Sequence, residues 1–120
     1  MNNLNFGTDI RIENLMLLEA MSEDDAEVIY DDVYNVQEAL EDAGIVIPVE
    51  DIYDAWELLE FFEESGFTGF LGFACTPVPE MSECGKYIED LSWGRYARFP
   101  VYGKDIDEFK EKAIEKVAAY

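Results

Sequence analysis

The sequence predicts an α+β fold, with a helical acidic N-terminal half, a small antiparallel sheet and a C-terminal amphipathic helix. Apolar residues recur at spacings of three and four over residues 23–43 and again over 50–65, the period of a helix with one buried face. From residue 67 the pattern changes to short, aromatic-rich runs punctuated by Gly and Pro, which read as strands and turns. After Gly103 the helical period returns and holds to residue 119. A chain of 120 residues is expected to form one domain over residues 1–120, with acidic helices at about 14–65 and the sheet and last helix at about 67–119.

Taken in order, Asn5–Ile12 alternates Ile10 and Ile12 with Asp9 and Arg11, as a brief strand or extended lead-in would. Asn14–Met21 is rich in good helix formers and is expected to make two helical turns with Leu15 and Leu18 inward. Ser22 has the chemistry of an N-cap, and Glu23, Asp24 and Asp25 follow it where the helix dipole favours carboxylates. In the predicted helix over 23–43, Ala26, Ile29, Val33, Val36, Leu40 and Ala43 form the apolar face, and Gly44 closes it. Pro48 holds Ile47 out of helical geometry. A second helix is expected from about Glu50 or Asp51 to Ser65, with Ile52, Ala55, Trp56, Leu59 and Phe62 inward and Gly66 as its stop.

Phe67–Cys75 is expected to be a strand bent or closely approached at Gly69 and Gly72. Thr76–Glu83 reads as a loop fixed by Pro77 and Pro79, and Lys86–Leu91 fits either a strand or a helical turn. Trp93-Gly94 marks a turn, and Arg95–Tyr102 is a strand with Pro100 at an edge or bulge. The final helix, Asp105–Ala119, turns Ile106, Phe109, Ala113, Ile114 and Val117 inward and mixed charges outward.

Charge is distributed unevenly along this framework. No Lys or Arg lies between Arg11 and Lys86, whereas residues 12–85 hold 20 Asp and Glu. Those 20 account for the whole formal charge of −20, because the other 8 carboxylates are matched by the 8 Lys and Arg. A hydrophobic content of 49% is too high for an acidic disordered tail. The charge therefore belongs on a folded surface. Asp24, Glu27, Asp31, Glu38 and Asp42 form one column on the first predicted helix, flanked by Asp32, while Asp54, Glu57 and Glu64 line the second. Tyr30 and Tyr34 lie one turn apart beside the first column, where they either meet a partner or cap the edge of the core.

Several chemistries are disfavoured. With His absent, His-dependent nucleophile systems and the usual His-containing metal sites are excluded. The spacing of an EF-hand is missing, as is a phosphate-cradling Gly-rich loop. An enzyme is not expected, nor is any cofactor or bound metal. Cys75 and Cys84 are expected to be reduced and partly buried, with a disulfide across the intervening loop as the alternative. No run of apolar residues reaches membrane-spanning length, and residues 1–9 lack the pattern of a secretory signal, so a cytoplasmic location is expected, inside a bacterial host if phage-encoded.

Such a surface repels nucleic acid and anionic lipid and attracts basic proteins. Carboxylates recurring each helical turn, roughly 5–6 Å apart, come close to the ~7 Å separation of phosphates along a DNA strand. In size, charge and helix layout the chain resembles the small acidic phage or prophage inhibitors that mimic DNA, such as anti-restriction and anti-CRISPR proteins. That resemblance implies a basic nucleic-acid-binding partner, a nuclease or CRISPR effector, occupied by Asp24, Glu27, Asp31, Asp32, Glu38, Asp42, Asp54, Glu57, Glu64, Tyr30 and Tyr34. Alternatives are an immunity protein neutralising a toxic nuclease and a non-inhibitory acidic interaction domain.

Overall fold

The computed structural model describes residues 4–6, 10–79, 88–91 and 94–119, with backbone alone at 4–6, 13, 14, 34 and 91. The fold is α+β. Five antiparallel strands, β1 (Leu4–Phe6), β2 (Ile10–Leu17), β3 (Phe70–Pro77), β4 (Ile88–Leu91) and β5 (Gly94–Gly103), lie in the order β1-β2-β3-β5-β4. Four α-helices accompany them among the described residues: α1 (Glu23–Asp31), α2 (Val33–Asp42), α3 (Ala55–Ser65) and α4 (Ile106–Ala118).

Strand alternation divides the core between the two faces of the sheet. Leu71, Phe73 and Tyr102 point to one face and meet Ile29 of α1, Val36 and Leu40 of α2, and Leu58 and Phe62 of α3. Ile12, Leu15, Ala74 and Val101 point to the other and meet Phe109 and Ala113 of α4. Fully burying a Phe such as Phe62, Phe73 or Phe109 contributes roughly 1.5–3 kcal/mol.

The expected helix at Asn14–Met21 is instead strand as far as Leu17, followed by a 3-10 turn at Leu18–Ala20. The helix formers of this stretch are the misleading signal, and the strand itself is irregular. Glu13 pairs with Phe73 and Met16 with Leu71, so β2 carries one extra residue there. Ile12 and Leu15 thereby reach the same buried face at a spacing of three. Helix propensity, worth a few tenths of a kcal/mol per residue, yields to the pairing of Met16 and Leu17 with Leu71 and Phe70 of β3.

The expected single helix over 23–43 is two helices, interrupted at Asp32 (φ −109°, ψ 20°). α1 packs along α3, whereas α2 packs against β5. One continuous rod cannot serve both directions. The break places the Asp32 carboxylate beside Arg98 Nη1 at 3.5 Å.

The second helix begins later than expected, at Ala55, after a 3-10 turn at Val49–Asp51. Leu58 and Phe62 are its buried residues, and Trp56, expected inward, is 59% exposed. Ile114 of α4, also expected inward, is 50% exposed, because Phe109 and Ala113 already fill the space over the sheet.

β4 pairs with Gly94–Ala97, so among the described residues the rest of β5 faces no strand on that side. Pro100, which has no N–H to donate, falls in this stretch and is buried. α2 packs against β5 there, and Lys116 Nζ of α4 reaches Asp42 Oδ2 at 3.8 Å. Covering the edge in this way blocks pairing with another chain.

Gly69 joins α3 to this sheet with φ +139°, and a Cβ there would lie 2.6 Å from the Gly103 carbonyl oxygen. Gly69→Ala is expected to lower stability by about 2–3 kcal/mol through backbone strain and that clash, measurable by urea unfolding. Nearby, the buried Tyr102 hydroxyl donates to the Thr68 carbonyl at 2.6 Å. Burial, and secondarily the Glu108 carboxylate, push this hydroxyl above the ordinary tyrosine value of 10.0. The neutral form is favoured in the folded state, so its stabilisation is intact below pH 10 and lost as pH rises through the raised folded value. Tyr102→Phe is expected to be about 1 kcal/mol less stable near neutrality, yet to lose less stability on alkaline titration than the parent chain.

Candidate functional site

The acidic surface is assembled by two well-defined helix starts. At α1 the Ser22 hydroxyl accepts from Asp25 N–H at 3.2 Å and the Asp25 carboxylate accepts from Ser22 N–H at 3.5 Å, a reciprocal capping box. At α3 the Asp54 carboxylate accepts from Glu57 N–H at 2.8 Å, and Glu57 Oε2 accepts from Tyr53 N–H at 2.9 Å. The last turn of α1 is tied to the start of α3, because the Tyr30 hydroxyl donates to the Tyr53 carbonyl at 2.6 Å. Gly66, in left-handed geometry at φ 67°, ends α3.

Ion pairing divides the carboxylates into two groups. Asp32 lies 3.5 Å from Arg98, and Asp42 lies 3.8 Å from Lys116. Both residues belong to α2 or its N-terminal junction, so the cations of the C-terminal part draw on that side of the acidic block. Glu38, half-buried on α2, also makes an interaction. Among the described residues no ion pair reaches a carboxylate of α1 or α3. Glu23, Asp24, Glu27 and Asp31 of α1, together with Glu60, Glu63 and Glu64 of α3, are exposed. α1 and α3 lie side by side, so their carboxylates form one continuous field. Along α1, Asp24 and Asp31 are separated by roughly 10 Å of helix rise.

Arg98 is the pivot of this division. Its side chain is only 7% exposed, its Nη1 also lies 3.7 Å from Glu89 Oε2, and its guanidinium carbon sits 3.6 Å from the centroid of the Phe73 ring. Ring, guanidinium and two carboxylates hold the α1–α2 junction onto the sheet. Arg95 instead pairs with Asp90 at 2.8 Å, holding that carboxyl below its ordinary range chiefly by hydrogen bonding. Of the other C-terminal cations, Lys112 pairs with Glu108 and Lys104 is exposed.

The residues expected to bind a partner therefore have different surroundings. Asp24, Glu27, Asp31 and Glu64 stand exposed on the α1–α3 side. Asp54 and Glu57 are also on that side, but each accepts a backbone hydrogen bond that shapes the start of α3. Asp32, Glu38 and Asp42 sit with α2, no longer in register with α1 as a single column. Tyr30 is half-buried and packed against the core, with its hydroxyl engaged. Tyr34 belongs to α2, and its side chain lies outside the described residues. Cys75 is fully buried in β3, while Cys84 and Lys86 lie outside the described residues.

Sequence reasoning passed over Tyr53 and Trp56, which are 75% and 59% exposed among these carboxylates. The signal was available: Asp54 followed three residues later by Glu57 is a helix start, and beginning α3 there turns Trp56 outward. Among the described residues no group of three or more acidic or Cys side chains converges to hold a metal ion, and no helix is long and apolar enough to cross a membrane. No family model, curated protein or solved structure matches the chain.

Proposed function

We propose that the chain is an inhibitor that imitates a polyanion and occupies the nucleic-acid-binding surface of a basic protein, with α1 and α3 as its contact face. The reading places it among anti-defence proteins of the anti-CRISPR or anti-restriction type, acting in the cytoplasm of a bacterial host. The observation that carries it is the contrast in pairing. Asp32 and Asp42 have intramolecular cations, but the exposed carboxylates of α1 and α3 have none among the described residues.

Leaving them unpaired is costly. Like-charged neighbours such as Glu23–Glu27, Glu27–Asp31 and Glu60–Glu64 each destabilise by roughly 0.2–0.5 kcal/mol. A solvated face relieves that cost by interspersing Lys, and this face does not. A cationic groove would relieve it on binding and release its own counterions, as it does for DNA.

The test is inhibition of DNA binding by a panel of restriction nucleases and CRISPR effectors, titrated with the intact chain at low and at high salt. Loss of DNA binding for at least one member, weakening as salt rises, is the expected result. Inhibition or binding that is indifferent to salt contradicts mimicry and fits an interaction domain built on the aromatic surface.

A further inference from the structure

We propose that the groove between the Pro48–Tyr53 turn and α3 receives an arginine side chain of the protein partner. This rests on the polyanion reading and names the chemistry that the α1–α3 face selects. The groove is shallow, about 440 Å³, and is lined by the apolar Pro48, Ile52 and Phe61 and by Tyr53. Asp51, Glu57, Glu60 and Glu64 line it as well. It thus offers apolar contact for a methylene stem, an aromatic residue, and carboxylates with no ion pair to Lys or Arg among the described residues.

Tyr53 is fixed for such a role. Its carbonyl accepts from Tyr30 and its N–H donates to Glu57, so both sides of its backbone are held. Its side chain nevertheless projects into solvent. A rigid, exposed aromatic residue loses little freedom on binding and suits the centre of an interface. The chain already shows what this combination of groups binds. At Arg98 a guanidinium lies over the Phe73 ring between Asp32 and Glu89. The groove repeats ring and carboxylates, and the guanidinium is left for the partner to supply. Planar stacking and forked hydrogen bonding favour arginine over lysine.

The test measures binding of fluorescent octa-arginine and octa-lysine to the intact chain by anisotropy, at low and near-physiological salt. The intact chain is expected to prefer octa-arginine by roughly threefold to fivefold. Tyr53→Leu keeps the apolar area and the backbone hydrogen bonds, and is expected to abolish the preference by lowering octa-arginine affinity more than octa-lysine affinity. Glu64→Gln, at the exposed end of α3, should narrow the preference without touching the turn. Equal binding of the two peptides by the intact chain, or a preference that survives Tyr53→Leu, overturns the arginine groove and leaves the polyanion reading standing. Weak or salt-indifferent binding of both peptides overturns the two together.

Discussion

Converting Asp24, Glu27, Asp31, Glu60 and Glu64 together to their amides is expected to weaken binding to a basic target by roughly 100-fold or more, given the steep electrostatic dependence of polyanion binding. The same variant is expected to be more stable than the parent, because like-charge pairs along α1 and α3 are removed. At a few tenths of a kcal/mol for each pair, the gain is about 1–2 kcal/mol, or a rise in Tm of roughly 5 °C. Opposite signs for binding and stability are the signature of charges kept for a partner. Asp54 and Glu57 are left out of the set because they shape the start of α3, so their loss would confound folding with binding. Titration of the target by calorimetry, with thermal unfolding of the free chain, checks both halves of the prediction.

Arg98→Ala is expected to be the most damaging single substitution for stability. It removes a nearly buried guanidinium from the Phe73 ring and leaves Asp32 and Glu89 without it. Breaking a buried ion pair from one side costs about 3–5 kcal/mol; with Asp32 and Glu89 partly exposed, roughly 3 kcal/mol is expected, a fall in Tm on the order of 10 °C. Arg98→Lys should recover only part of this, because an ammonium neither stacks in plane nor forks to two carboxylates. Urea unfolding of the three chains measures the difference. Since Arg98 holds the α1–α2 junction, its loss should also blur the α1–α3 surface and weaken target binding indirectly.

How much was legible in the sequence follows from where local and tertiary forces agree. Ser22 and Gly44 marked the limits of the first helical region because capping is local chemistry that tertiary contacts rarely overrule. The sheet of β3 and β5 followed from aromatic runs between glycines, and Gly69 is closely approached as expected. The interruption at Asp32 was invisible, since the apolar period runs unbroken from Ala26 to Leu40. Only the distant Arg98, more than sixty residues later in the chain, fixes the turn there. β2 was misread because residues 14–21 are rich in helix formers, and only the distant β3 draws Met16 and Leu17 into a strand.

The acidic field was legible as a block of charge but not as a pattern. Composition located the carboxylates and could not say which of them the eight Lys and Arg would reach. That depended on α4 approaching α2, which brings Lys116 to Asp42, and on the register that brings Cys75 opposite Arg98. Folding thus pairs Asp32 and Asp42 internally and leaves the exposed carboxylates of α1 and α3 without an ion pair among the described residues. The column of five expected along one helix becomes a shorter column on α1 beside a second on α3.

The most direct measurement is the salt dependence of competition between this chain and a DNA duplex for a basic nuclease. The account predicts that the logarithm of the affinity falls linearly with the logarithm of salt concentration for both ligands. It also predicts that the slope for the chain flattens in the five-amide variant. A slope near zero for the parent chain, or one that the variant leaves unchanged, would contradict it.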